Sequence, residues 1–171
     1  LSPEAVQSLA VQARWLSKRL EWHLLGNHLF ANAKALVFSG LFFEGSEADR
    51  WFDCGSRILK RQIPEQILPD GGQFELSPMY HALALEDILD LINLLECSQS
   101  SHTAALLNAL RDRVEPILHW LAAMSHPDDR ISFFNDGAFG VAPENSELRE
   151  YAERLGFRAQ PLGADLLQLS H

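Results

Sequence analysis

Apolar residues recur at helical spacing along almost the whole chain, and this periodicity restricts the fold more than any other feature. The first segment carries two apolar stripes, one of Val6, Leu9, Ala13, Leu16 and Leu20 and the other of Val11, Trp15 and Trp22. A helix with apolar residues on two sides packs between neighbouring helices. The pattern therefore predicts an all-α protein whose tryptophans belong to the core.

Capping signals divide this periodic chain into successive helices. Gly26 is typical of a helix end, and Asn27 and His28 then begin the next helix. Ser77 supplies an N-cap, and Pro78 suits the first helical position. After the first helix, the pattern predicts helices over about 28–43, 46–63, 78–97, 103–125 and 146–155.

Other signals predict how these helices begin and are connected. Ser46 and Ser146 are the predicted N-caps of the third and the last helix, and Pro64 begins a longer connection before Ser77. Residues 131–136 read as a short extended piece. Glu86, Asp90 and Asn93 form a polar strip on the fourth helix, which is either directed inward or, as we favour, a solvated face.

Short connections join these helices as antiparallel hairpins, whose starts are roughly fifty residues apart. This spacing favours a helical toroid or an array of hairpin repeats over a compact four-helix bundle. Alternate helices then run in the same direction, so the second and fourth helices begin at one end. We therefore expect Asn27, His28 and Tyr80 to lie on a common rim.

Composition excludes several classes of function. The 171 residues suit one domain, and their net charge of −9 argues against a nucleic-acid surface. No apolar run has transmembrane length, so we expect no membrane partner. Cys54 and Cys97 are expected to be buried free thiols, and the histidines follow no ligand spacing. We therefore expect no metal site and no cofactor.

The predicted rim favours one kind of chemistry. An amide (Asn27), an imidazole (His28) and a phenol (Tyr80) at helix N-termini can bind an anion that loses a proton nearby. Proton removal beside the carboxylate of a sugar acid needs donors that stabilise the enolate-like state. A phenol can serve as acid or as base in such a reaction.

Three segments resemble the helical domain of the heparinase II/III-like polysaccharide lyases. They are Leu24–Phe43, which contains the Asn-His pair, Glu65–His81, which contains Ser-Pro-Met-Tyr-His, and His126–Asp136. The Asn-His pair and the Tyr-containing block lie fifty-three positions apart, counted from Asn27 to Tyr80. The resemblance extends over most of the chain.

This resemblance implies an incomplete (α/α) toroid over residues 1–160, with residues 161–171 beginning a linker to a missing β-sandwich domain. It implies β-elimination of uronate-containing polysaccharides by a bacterial lyase. In that mechanism Asn27 and His28 neutralise the uronate carboxylate, and Tyr80 acts as general acid or base. A further base, a His, comes from the β-domain. The chain has no initiator Met, so we interpret it as a fragment that alone is inactive.

Two substrate-binding residues and two alternative functions remain open from the sequence. Glu75 either binds substrate hydroxyls or makes a salt bridge within its loop, and His81 either orients Tyr80 or is structural. The chain is alternatively an inactive carbohydrate-binding relative or a helical scaffold whose polar residues merely cap helices. Its compartment, periplasmic or cytoplasmic, is left undetermined.

Overall fold

The computed structural model describes residues 1–24, 26–98 and 102–158, and these residues fold into helices joined by turns and loops. The helices are α1 (Pro3–Leu16), α2 (His28–Phe42), α3 (Ser46–Gln66), α4 (Pro78–Cys97), α5 (Ala104–Ala123) and α6 (Asn145–Arg154). No helix in the described ranges has both the length and the apolar character needed to cross a membrane.

Helices α2 and α3 form a tight antiparallel hairpin. A Cβ atom built on Gly40 would lie 2.6 Å from the Cβ of Phe52, and one built on Gly55 would lie 2.6 Å from the carbonyl oxygen of Ala33. Phe52 contacts the later residue of α2, Gly40, and Gly55 contacts the earlier one, Ala33, so the two helices are antiparallel. Small residues at these two positions let the backbones approach closely.

Helices α4 and α5 form a second antiparallel hairpin that carries most of the core. His81, near the start of α4, contacts Ile117 late in α5, whereas Glu96 at the end of α4 pairs with Arg111 in the middle of α5. The two helices bury a row of aliphatic side chains, namely Leu85, Ile88, Leu89, Ile92, Leu95, Leu106, Leu110, Val114 and Leu121.

Loops and the last helix close the structure around this hairpin. An isolated β-bridge joins Ile67 to Gln73 before α4, and a second joins Ser125 to Ile131 before α6. Leu148 of α6 is buried in the same core as α4 and α5. Each bridge therefore closes a turn within its own connection, one before α4 and one before α6.

The structure confirms the predicted bounds of α4 and corrects other helix ends. Helix α1 ends at Leu16, so Gly26 ends no helix and instead lies in a turn with a φ of +91°. Helix α3 continues through Pro64 to Gln66. A proline inside a helix removes one backbone hydrogen bond, and ten buried residues along α3 compensate for that loss.

Two N-caps lie one or two residues before the predicted positions. The N-cap of α3 is Gly45, not Ser46. The N-cap of α6 is Glu144, not Ser146, and it forms a capping box with Glu147. A glutamate side chain is long for this role, which explains why the sequence pattern favoured the serine.

The burial of several side chains also differs from expectation. Trp15 and Trp22 are 57% and 58% exposed, whereas Trp51 is buried against α1 and α2. Cys97 is an exposed thiol, and Cys54 is partly buried. Apolar periodicity shows which side of a helix is apolar but not whether a neighbouring helix covers that side.

Candidate functional site at the helix N-termini

The first part of the candidate site is the turn that begins α2. Asn27 occupies the N-cap position in a helical conformation, and its side chain makes no capping hydrogen bond. It is half-buried, while the adjacent His28 side chain is 51% exposed. The amide and the imidazole therefore stand at the positive end of the α2 dipole with access to solvent.

Glu21, which the sequence did not single out, lies beside this imidazole. Its Oε2 is 3.9 Å from Nδ1 of His28. Asn32 fixes the carboxylate by donating from Nδ2 to the same Oε2 at 2.9 Å, and its Oδ1 accepts from the Glu21 backbone N–H. The separation of 3.9 Å is beyond hydrogen-bond distance, so Glu21 acts on His28 as a nearby charge. No local motif predicts Glu21, because an irregular turn separates it from His28.

The second part of the site is the start of α4. The Ser77 side chain accepts a hydrogen bond from the backbone N–H of Tyr80 at 3.4 Å, and Pro78 occupies the first helical turn. Tyr80 is half-buried in that turn. The predicted cap is confirmed, and it fixes the backbone from which the phenol projects.

Glu75 joins the two parts of the site. A Cβ atom built on Gly26 would lie 3.2 Å from Oε1 of Glu75, so the loop before α4 touches the turn before α2. Gln73 holds Glu75 in place, donating from Nε2 to Oε1 at 3.0 Å and accepting the Glu75 backbone N–H. Asn135 donates from Nδ2 to the Glu75 carbonyl oxygen at 3.2 Å, which adds a third loop.

A second contact between α2 and α4 determines their relative direction. Nζ of Lys34 lies 2.6 Å from Oδ1 of Asp87 and 2.7 Å from Oδ2 of Asp90. The first contact joins Gly26 to Glu75, and the second joins Lys34 to Asp87. Residue numbers therefore increase in the same direction along both segments. Helices α2 and α4 therefore run parallel, and both begin at the same end.

The same ion pair bears on where two of the predicted site residues, Asn27 and Tyr80, lie on their helices. Lys34 follows Asn27 by seven residues, and Asp87 follows Tyr80 by seven residues. Seven residues are close to two turns, so each pair of residues lies on one face of its helix. Because Lys34 meets Asp87, helix geometry directs Asn27 and Tyr80 towards the same interface two turns nearer the N-termini.

The electrostatics of this interface favour a fixed charge on Lys34. Burial lowers the pKa of the Lys34 ammonium, but hydrogen bonds and charge interactions with Asp87 and Asp90 outweigh burial and raise the pKa. Asp90, predicted to lie on a solvated face, is thus part of a partly buried network. The prediction holds for Asn93, which is exposed, but not for Asp90, because its partner Lys34 lies on another helix.

His81 lies in the core and not on the rim. Its side chain is fully buried, its Nε2 lies 2.9 Å from the carbonyl oxygen of Ile117, and its Nδ1 accepts the backbone N–H of Gln73 at 3.3 Å. The ring also stacks on Trp120, with the centroids 4.3 Å apart. A ring with no accessible surface makes no direct contact with a sugar, so the structural alternative fits His81.

A groove of about 130 Å³ opens beside the site. Gly26, one residue before Asn27, is among its lining residues, together with Trp22, Gln66 and Phe74. The groove places an exposed indole and a buried amide next to the rim. No group of histidine, cysteine, aspartate and glutamate side chains in the described ranges is arranged to hold a metal ion.

Comparison with known sequences gives the following matches. The family described as heparinase II/III N-terminus matches residues 4–157. The heparin-sulfate lyase of Bacteroides stercoris is 33% identical over 112 residues, which are 65% of this chain and 16% of that protein. The heparin-sulfate lyase of Pedobacter heparinus is 29% identical over 150 residues, which are 87% of this chain and 22% of that protein.

Comparison with solved structures gives the same picture. A crystal structure of a mutant heparan sulfate lyase from Pedobacter heparinus matches with a TM-score of 0.61 and 30% identity, covering 78% of this chain and 20% of that one. A crystal structure of heparinase III matches with a TM-score of 0.67 and 21% identity, covering 85% and 23%. The helices described above therefore form part of an incomplete (α/α) toroid, as the sequence predicts.

Proposed function

We propose that this chain, which belongs to the heparinase II/III family, is the helical part of a polysaccharide lyase that cleaves uronate-containing glycans by β-elimination. The chain spans between 16% and 22% of the length of the curated relatives described above. Those relatives are named heparin-sulfate lyases, so we take a heparin-like polysaccharide as the first substrate to test. The parallel course of α2 and α4, which directs Asn27 and Tyr80 towards one interface, is the observation that carries the proposal.

Asn27 and His28 are the proposed carboxylate-binding residues. Loss of the proton next to the uronate carboxylate spreads negative charge onto the carboxylate oxygens. Hydrogen-bond donors placed there stabilise the enolate-like state more than the ground state. The amide of Asn27, the imidazole of His28 and the N–H groups at the start of α2 supply such donors. The carboxylate of Glu21, with Oε2 3.9 Å from Nδ1 of His28, adds a negative charge beside the imidazole.

Tyr80 is the proposed proton-transfer residue. The reaction breaks the bond to the hydrogen on the carbon beside the carboxylate, forms a carbon–carbon double bond and expels the glycosidic oxygen. The phenol protonates that leaving oxygen, and it removes the proton for substrates of suitable stereochemistry. Its half-buried position on the first turn of α4, on the face that meets α2, supports this role.

Glu75 is the proposed contact for substrate hydroxyls. Its position between the turn before α2 and the start of α4 supports this role, and no salt bridge in the described ranges involves it. We assign His81 a supporting role, because it ties the Gln73 loop to α5. The acidic polysaccharide is therefore bound by the rim and not by His81.

A further part of the polypeptide completes the proposed enzyme. We place the remaining base, a histidine, on a C-terminal β-sandwich domain, with residues 161–171 beginning the linker. These residues lie outside the described ranges. This chain covers only 16% and 22% of the lengths of the two relatives, which supports a larger enzyme. On this proposal the present chain alone turns over little or no substrate.

The test uses the full-length protein with heparan sulfate, heparin and alginate. The ultraviolet absorbance of the unsaturated uronate product is followed for wild type, Tyr80→Phe and His28→Ala. Removal of one such donor or proton-transfer group lowers kcat by about a hundredfold or more. His102→Ala is the matched control, since His102 is also an exposed histidine beside a carboxylate, that of Asp53 at 2.8 Å. We expect this control to retain wild-type rates.

The outcomes separate the proposal from its alternatives. Wild-type rates in both Tyr80→Phe and His28→Ala would show that the site assignment is wrong. Absence of product, with oligosaccharides still raising the melting temperature, would identify an inactive carbohydrate-binding relative. A melting temperature that responds to a protein partner but to no oligosaccharide would identify an interaction scaffold.

A further inference from the structure

Lys34 contacts two carboxylates of a neighbouring helix and has no part in the proton transfers proposed above. Its Nζ donates to Oδ1 of Asp87 at 2.6 Å and to Oδ2 of Asp90 at 2.7 Å. Asp87 and Asp90 are three residues apart, so they occupy one face of α4. A cation held between two points on that face restricts both rotation and sliding of α2 against α4.

This ion pair also connects to α6. The hydroxyl of Tyr151 donates to Oδ1 of Asp90 at 3.0 Å, and Asn93 donates from Nδ2 to the Tyr151 oxygen at 3.2 Å. Asp90 thus accepts from Lys34 with one oxygen and from Tyr151 with the other. Its carboxylate is fixed from two sides, so it offers Lys34 a stationary partner.

Burial distinguishes this ion pair from the others in the described part of the chain. The side chains of Lys34 and Asp87 are 19% and 23% exposed, whereas those of Arg14 and Glu47 are 51% and 40% exposed. A partly buried ion pair gains less net stability than its geometry suggests, because both charges lose water. The best-supported role of such pairs is to select one register of packing.

The register of α2 against α4 also sets the relative positions of the candidate site residues at the starts of these helices. Lys34 lies seven residues after Asn27, and Asp87 lies seven residues after Tyr80. At about 1.5 Å per residue, each ionic partner is about 10 Å along its helix from the site residue on the same face. A slide or rotation at the ion pair is therefore transmitted through two rigid turns to the rim.

We propose that Lys34 is a positioning residue, whose contact with Asp87 and Asp90 sets the distance between the carboxylate-binding pair, Asn27 and His28, and Tyr80. This inference rests on the proposed function of that rim. Substrate binding tolerates small shifts because a polysaccharide makes many contacts. Proton transfer does not, and a displacement of about 1 Å can lower turnover about a hundredfold.

The test is steady-state kinetics of the full-length protein on the substrate that wild type cleaves. Lys34→Met keeps the unbranched shape and most of the length of the side chain and removes its charge. At a temperature well below the melting point of every variant, we expect kcat to fall about tenfold or more. We expect KM to change less than about threefold, because the carboxylate-binding and hydroxyl-binding groups are still present. Lys34→Arg, which restores a cation between the two carboxylates, should recover much of kcat.

Arg14→Met is the matched control. Arg14 donates from Nε and Nη2 to Glu47, so the variant also breaks a hydrogen-bonded ion pair between two helices, α1 and α3. We expect a wild-type kcat and little change in the melting temperature, because this pair is exposed. If Lys34→Met does not accumulate as folded protein, Asp87→Asn is measured by the same criterion, since it removes one charge and keeps the shape.

Three results would overturn the inference. The first is a wild-type kcat in Lys34→Met, and the second is an equal loss of kcat in Arg14→Met. The third is a loss carried by KM alone. Tyr80→Phe, measured alongside, separates the two levels: if Tyr80→Phe is inactive and Lys34→Met is not, only the positioning role is wrong. If Tyr80→Phe keeps wild-type turnover, the proposed function is wrong and this inference falls with it.

Discussion

Nε2 of His81 lies 2.9 Å from the carbonyl oxygen of Ile117, and this bond ties the first turn of α4 to the later half of α5. Because Nδ1 of His81 accepts the backbone N–H of Gln73, the proton of the neutral ring must be on Nε2, which donates to Ile117. The ring is thus held neutral and completely buried directly beside Tyr80 in sequence.

This arrangement predicts a pH dependence of stability. Burial lowers the pKa of His81 from 6.5 to about 4, despite the opposing hydrogen bond to Ile117. Between these two pH values the unfolded chain binds a proton at His81 that the folded chain does not bind. Stability is therefore fully present above pH 6.5 and falls as the pH is lowered towards 4, by up to about 3 kcal/mol.

Urea unfolding at several pH values measures this effect. His81→Gln keeps a donor for Ile117 but does not titrate, so the difference between wild type and His81→Gln should shrink as the pH falls from 6.5 to 4. His119→Gln, at an exposed position of α5, is the control and should follow wild type. A difference that is constant with pH would contradict the prediction.

We expect one added methyl group in the loop before α4 to lower the stability of the protein severely. A Cβ atom on Gly71 would lie 2.1 Å from the carbonyl oxygen of Pro116, and the φ of Gly71 is +89°. Gly71→Ala should therefore lower the free energy of unfolding by about 3 kcal/mol or more, from backbone strain and overpacking together. Gly140→Ala isolates the strain, since Gly140 has a φ of +74° and open space around it. Equal losses in chemical denaturation would show that the close approach is absent.

We expect removal of the N-cap side chain of α4 to lower both the stability and the activity of the protein. Ser77 is fully buried, and its side chain accepts the backbone N–H of Tyr80. Ser77→Ala should cost about 1 to 2 kcal/mol, because no water replaces the lost acceptor. Ser2 makes the same bond to Ala5 at an exposed position, so Ser2→Ala should cost less than half as much. Only Ser77→Ala should also lower the rate of the full-length protein, and a loss of rate in Ser2→Ala would argue against a local effect on Tyr80.

We expect hydrogen bonds from Asn145 to hold the loop before α6. It is 1% exposed and donates from Nδ2 to the Ser125 hydroxyl oxygen and to the Asp129 carbonyl oxygen, both at 2.8 Å. Asn145→Ala removes both donors from these partly buried acceptors and should cost about 1 kcal/mol in thermal unfolding. Asn108→Ala, at an exposed position within α5, should leave stability unchanged or slightly raised. Similar melting temperatures in the two variants would show that these hydrogen bonds contribute nothing.

Parts of the fold and site follow from local sequence. The serine-proline pair at 77–78 begins α4, and the predicted end near residue 97 agrees with the structure. The start of α2 at His28 is confirmed as well. For α4 the signal is chemical and short-range, since Ser77 accepts a backbone N–H and Pro78 lacks one. The Asn27 side chain makes no capping hydrogen bond, so side-chain capping does not account for the start of α2.

Other parts depend on contacts between distant segments. The apolar stripe of the first helix continues to Leu20, yet α1 ends at Leu16. Glu21 reaches His28 through a turn held by Asn32, and Lys34 reaches α4 across fifty-three residues of sequence. None of these contacts has a local pattern, because the side chains are neighbours only after the hairpins have packed.

The sequence by itself determined that the chain is helical, where α2 and α4 begin, and which polar side chains stand at those ends, because capping and periodicity act over a few bonds. The hairpin topology predicted that α2 and α4 run in the same direction, but only the tertiary structure decided their register and withdrew His81 into the core. It also decided that Trp15 and Trp22 are left exposed. Register and burial depend on which surfaces meet, and that is set by the packing of whole helices against one another.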